Sequence, residues 1–126
     1  MSDSATFELT TTVDKSTIAH RVAELWKGFA YSSDIYTFPG YNEKIFCTLD
    51  YVFGYPVEKE MIRKVLNYLL DIASNHEVYY YRCADFIHIH NQDTQPIQIS
   101  VDDLFREEYT PSIGASIEKK YVIRRV

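Results

Sequence analysis

"EVYYYRCADFIHIHN", residues 77–91, sets three tyrosines in a row and then two histidines one residue apart, in a chain that holds four histidines in all. Read as one β-strand, it divides into two faces, because successive side chains point to opposite sides of a sheet. Tyr79, Tyr81, Cys83, Asp85, Ile87 and Ile89 share one face; Val78, Tyr80, Arg82, Ala84, Phe86, His88 and His90 share the other. The first is the more apolar and is expected to face the core. Asp85 then calls for a bulge or an edge position, since an unpaired buried carboxylate is costly. Tyr80, Arg82, Phe86, His88 and His90 are expected on the open face, where aromatic rings and guanidinium groups form the energetic centres of protein interfaces.

Downstream, "QPIQISV" (95–101) alternates Ile97, Ile99 and Val101 with Gln98 and Ser100, and Asn91-Gln92-Asp93-Thr94 reads as the turn of a hairpin joining it to 77–91. Ser100 with Asp103 three residues on resembles a cap for the short helix "DDLFREEY". "IEKKYVIRRV" (117–126) closes the chain as a strand in which Ile117, Tyr121 and Ile123 alternate with charged residues.

Upstream, "ATFELTTTV" (5–13) alternates Phe7, Leu9, Thr11 and Val13 with polar residues and reads as an edge or near-edge strand with one wet face. Asp14 or Ser16 caps a helix whose apolar stripe is Ile18, Val22, Leu25, Trp26 and Phe29, with His20, Arg21, Glu24 and Lys27 opposite. Residues 31–43 show no period and read as a long loop, with a turn at Pro39-Gly40 whose second residue needs positive φ. "KIFCTLDYVF" (44–53) is a strand apolar on both faces. Pro56 suits the first turn of a second helix with the stripe Ile62, Val65, Leu66, Leu69, Ile72 and Ala73, and Asn75 is its expected left-handed stop.

Two amphipathic helices and a mainly antiparallel sheet define an α+β fold, a two-layer sandwich forming a single domain over residues 1–126. With 46% hydrophobic and 25% charged residues the composition is that of a globular chain, not a disordered or fibrous one. Formal net charge is −5, and because Lys119, Lys120, Arg124 and Arg125 sit at the end, residues 1–118 hold nine basic against eighteen acidic residues. That balance disfavours direct nucleic-acid binding and favours a protein partner with a basic surface. No apolar run approaches a membrane span, and the opening residues carry no apolar signal, so a cytoplasmic location, in its own or a host's cell, is expected.

Catalytic grammar is sparse. There is no Gly-rich phosphate loop, Gly-x-Ser-x-Gly elbow or Cys-x-x-Cys pair. Cys83 and His88 or His90 fall on opposite faces of one strand, and the acidic pairs Glu58/Glu60 and Glu107/Glu108 read as solvated helix surface. His88 and His90 point the same way and could share a metal, with His20, His76, Asp50 or Asp85 as a third ligand. A metal-dependent or small-ligand enzyme centred on His88 and His90 is therefore the alternative.

The preferred expectation is a non-enzymatic protein with no cofactor, a stoichiometric inhibitor or immunity-type protein of bacterial or phage origin that covers a basic target such as a nuclease. Tyrosine, eleven of 126 residues, supplies large contact area at low entropic cost. The expected partner-binding residues are Tyr36, Phe38 and Tyr41 in the loop, Tyr80, Arg82, Phe86, His88 and His90 on the strand, and Asp102, Asp103, Glu107 and Glu108 on the short helix. A homodimer pairing the basic end with the acidic body is a third reading.

Overall fold

A computed structural model describes residues 3–26, 33–37, 40, 43–51, 56–82, 95–105 and 120–125. Six strands form one sheet: β1 (Asp3–Thr10), β2 (Ser33–Tyr36), β3 (Lys44–Tyr51), β4 (Glu77–Arg82), β5 (Ile97–Ile99) and β6 (Lys120–Arg124), in the order β2-β3-β1-β4-β6-β5. Every pairing is antiparallel except β5 with β6, which is parallel. Two helices, α1 (Lys15–Leu25) and α2 (Pro56–Ile72), pack on the sheet and give the expected α+β sandwich.

The core lies between the sheet and the helices. Phe7 and Leu9 of β1, Ile45, Cys47 and Leu49 of β3, Val78 and Tyr80 of β4 and Tyr121 and Ile123 of β6 meet Ile18, Val22 and Trp26 from the α1 side and Ile62, Val65, Leu66, Leu69 and Leu70 from α2. The helix stripes are thus where the sequence puts them; Phe29 lies outside the described residues. Cys47 is a free thiol in this core, and burial, reinforced by the Asp34 carboxylate, pushes its pKa up to about 12. Held as a thiol, it behaves as a small apolar side chain.

Asp14 is the cap of α1. Its carboxylate accepts from the Thr17 N–H at 3.1 Å and from the hydroxyls of Ser16 and Thr17, each at 2.7 Å. These bonds hold its pKa at about 2, below the ordinary 3.8. A carboxyl depressed on folding contributes stability that is present above its unfolded pKa and lost as pH falls through the folded one. The Asp14→Ala variant should therefore differ from the parent in unfolding midpoint at pH 7 and converge on it as the pH falls from about 4 to about 2. Urea titrations across that range check it; a constant difference between the two proteins would contradict it.

Several expectations need correction. β1 is not an edge strand: β3 pairs with it on one side and β4 on the other. Its polar face is closed to solvent at Thr6 and Glu8, only 1% and 2% exposed, and opens at Thr10. Alternation of Phe and Leu with Thr and Glu identifies two faces, but not what lies over the polar one.

The stretch 31–43 is not wholly irregular, because Ser33–Tyr36 forms β2 at the sheet edge with Ile35 buried against the core. A four-residue strand with one inward apolar residue is too short to produce a period. Gly40, at φ +87°, does take up the expected positive-φ position between β2 and β3.

The hairpin between 77–91 and 95–101 is not formed by β4 and β5, since β6 lies between them. The left-handed residue after α2 is His76, at φ 53°, and not Asn75. There the His76 N–H donates to the Ala73 carbonyl at 3.1 Å, and its ring Nδ1 lies 3.0 Å from the Leu70 carbonyl oxygen. The imidazole bond to a late helical carbonyl stabilises a conformation that a non-glycine residue otherwise adopts at some cost.

Tyr80 carries the largest correction. It is fully buried, its ring 5.5 Å from that of Phe7 and 5.9 Å from that of Tyr121, on the helix side of the sheet. The apolar residues that favour the opposite assignment, Cys83, Ile87 and Ile89, lie outside the described residues. β4 is described to Arg82, and its facing is set by Val78 and by the register that places Tyr80 opposite Phe7 on one side and Tyr121 on the other. The proposed bulge at Asp85 lies outside the described residues.

Candidate functional site

The sheet face turned away from the helices gathers polar and aromatic side chains in register. Registers align one row across all six strands: Tyr36, Phe46, Glu8, Tyr79, Val122 and Gln98. Side chains in such a row are nearest neighbours across the strands, so they act as a unit. Its centre is closed to solvent, with Phe46, Glu8 and Val122 at 1%, 2% and 2% exposure, while Tyr36 and Tyr79 are half-buried.

At the β2 end Tyr36 stacks on Phe46, centroids 5.7 Å apart and planes 15° from parallel. The Tyr36 hydroxyl lies 2.9 Å from Thr48 Oγ1, which is itself 3.0 Å from Thr6 Oγ1. Burial raises the phenol's pKa above its ordinary value, so Tyr36 is a neutral hydrogen-bonding anchor rather than an acid or base at neutral pH. At the centre the Glu8 carboxylate is 3.5 Å from Lys44 Nζ, which closes the charge within the protein. The sequence gives one clue to this row: a β3 apolar on both faces has to put Phe46 opposite the helices. Glu8, Thr6, Lys44 and Thr48 escape a sequence reading because only the register brings them together.

No family model, curated protein or solved structure matches this chain.

Of the expected partner-binding residues, Tyr36 belongs to this face, and Tyr80 belongs to the core. Arg82 ends β4, and its side chain is outside the described residues. Asp102 is exposed and accepts a hydrogen bond from Arg63, whose guanidinium also lies 5.0 Å from the centroid of the Phe105 ring. Asp103 and Ser100 form the expected reciprocal cap: the Ser100 N–H donates to the Asp103 carboxylate and the Asp103 N–H to the Ser100 hydroxyl, both at 3.1 Å. The helix they cap is described as a single 3-10 turn, Asp103–Phe105. Asp103 thus has a structural task, and reversing its charge would disturb the turn itself. Phe38, Tyr41, Phe86, His88, His90, Glu107 and Glu108 lie outside the described residues.

Two of the conceivable third metal ligands have local partners. His20 Nε2 is 3.0 Å from Glu24 Oε1 on the open side of α1, and His76 holds the Leu70 carbonyl. Among the described residues no three His, Cys, Asp or Glu side chains come together as a metal site. No described helix is long and apolar enough to cross a membrane.

The described arginine side chains are all committed internally. Arg21 pairs with Glu24, Arg63 with Glu60 and Asp102, Arg124 with Glu77 at 2.8 Å, and Arg125 with Asp71. Arg125 also donates to the Asn67 carbonyl at 3.0 Å, and Arg124 to Gln98 at 3.0 Å. The two arginines of the basic terminus are therefore turned onto the protein's own acidic groups.

Proposed function

We propose that this protein is a small acidic protein-binding module, a stoichiometric inhibitor or immunity-type protein of bacterial or phage origin that covers a basic surface of its target, such as a nuclease or another nucleic-acid-handling protein. The observation that carries this reading is the internal pairing of arginine. With Arg21, Arg63, Arg124 and Arg125 each matched to a carboxylate of the same chain, the described arginines present no unpaired cationic patch to offset the formal net charge of −5. Such an excess steers a cationic partner and repels a phosphate backbone. Pairing of Arg124 and Arg125 within the chain also takes up two of the four cations that a homodimer through the basic end would use.

Tyrosine contributes less to this reading than its abundance suggests. Tyr80 and Tyr121 are core residues, and Tyr36, Tyr68 and Tyr79 are half-buried. The half-buried rings are the ones suited to a contact surface, since each presents a rigid edge that is already ordered.

The test is capture followed by titration. Immobilised protein is expected to retain a basic protein from lysate of its host at low salt and release it as ionic strength rises. The captured protein's own activity is then expected to fall to zero at one molar equivalent. Retention of neutral or acidic proteins only, or a captured partner whose activity is unchanged at several equivalents, would refute the reading.

A further inference from the structure

The turn from α2 into β4 is pinned on several sides. The Ser74 N–H donates to the Thr10 carbonyl at 2.8 Å, the Arg125 N–H to the His76 carbonyl at 3.0 Å, and Arg124 Nε to Glu77 Oε1 at 2.8 Å. Beside this turn, on the sheet face away from the helices, Thr10, Asn75, Glu77 and Tyr79 line a pocket of about 100 Å3. Its place follows from the register: Tyr79 is opposite Glu8, so Thr10 and Glu77 follow on the same face.

Size and chemistry narrow the occupant. Small-molecule sites begin at about 300 Å3, so a space of this size suits the tip of one side chain. Its described lining offers a carboxamide oxygen, a hydroxyl, a phenol ring and the Glu77 carboxylate, one oxygen of which Arg124 holds. A planar guanidinium matches that set: it can meet a carboxylate edge with two N–H groups and lie against an aromatic face. A lysine ammonium would use the charge without the ring or the fork.

We infer that the Thr10–Asn75–Glu77–Tyr79 pocket is an anchor site for one arginine side chain of the partner protein, an inference that rests on the acidic-inhibitor reading above. Arg124 already holds one edge of the Glu77 carboxylate. A carboxylate has about four lone-pair sites, so a second guanidinium can share it. Arg124 and the incoming arginine nevertheless repel each other, and that repulsion gives the site a signature no merely structural carboxylate would have.

N-acetyl-arginine amide, titrated into the isotopically labelled protein and followed by NMR, tests the site, with N-acetyl-citrulline amide as the neutral isostere. Saturable shifts are expected at Thr10, Asn75, Glu77 and Tyr79 with millimolar affinity. Binding should weaken by about fivefold or more for citrulline, in Glu77→Gln and in Tyr79→Leu, and tighten about twofold or more in Arg124→Ala. Diffuse shifts, equal binding of citrulline, or indifference to both Glu77→Gln and Tyr79→Leu would overturn the inference. Because Glu77→Gln is isosteric and Tyr79→Leu removes a different group, loss of fold in one variant leaves the other to decide. Capture of a basic partner whose complex leaves these four residues unperturbed would remove the pocket and spare the wider reading; arginine binding without any basic partner would do the reverse.

Discussion

Replacing Tyr80 by alanine is expected to lower the unfolding free energy by about 3–5 kcal/mol, whereas Tyr79→Ala should cost about 1 kcal/mol. The two residues are chain neighbours of identical chemistry, so the contrast reads the facing of β4 directly. Tyr80 is completely buried between Phe7 and Tyr121, and truncation leaves a cavity among rings that cannot close it. Tyr79 lies half-buried on the opposite face, where truncation removes cross-strand contact without opening the core. A loss of 3–5 kcal/mol is a large share of the roughly 5–15 kcal/mol that holds a domain of this kind. Urea denaturation of the two variants measures the difference. A reversed order, with Tyr79 the costlier, would mean that β4 is shifted by one residue and that the odd-numbered face is the core.

Deleting residues 120–126 is expected to abolish cooperative folding. β6 is an interior strand of the sheet, so its removal takes a partner from both β4 and β5. β6 is hydrogen-bonded to β4 on one side and β5 on the other, and Tyr121, Val122 and Ile123 are 1%, 2% and 0% exposed. Each such side chain contributes about 1.5–3 kcal/mol through burial, and two ladders of backbone bonds are lost besides. Arg124 and Arg125 add ties to Glu77, Gln98, Asp71 and Asn67. The truncated protein should show no sigmoidal thermal transition by circular dichroism. Adding a synthetic peptide of residues 117–126 should restore part of the signal, because the peptide resupplies the strand that joins β4 to β5 and folding can be coupled to its binding. A truncated chain that melts cooperatively near the temperature of the intact protein would show that β6 is dispensable, and with it the strand order proposed for this sheet.

The helices were legible because their information is local. Ile18, Val22 and Trp26, and Ile62, Val65, Leu66 and Leu69, recur at helical spacing and are buried. Caps were legible for the same reason: Asp14 and the Ser100–Asp103 pair bond within three residues of themselves. Much of the candidate face was not. Glu8 and Lys44, or Thr6, Thr48 and Tyr36, are distant in sequence and become neighbours only through the pairing of β1 with β3 and of β3 with β2. Asn75 and Glu77 join Thr10 in a pocket because Ser74 is bonded to the end of β1, a contact with no sequence signal at all.

Strand alternation shows where this division falls. The sequence by itself determined the α+β class, the two helices, the capped turns and the existence of two distinct faces on each strand, since all of these depend on periods and bonds within a few residues. Tertiary structure decided which face of β4 is interior, that β1 is central, and that β6 separates β4 from β5. A strand with aromatic residues on both sides satisfies either orientation, and its backbone pairs equally well with any neighbour; only the side chains it meets across the sheet and under the helices break the tie.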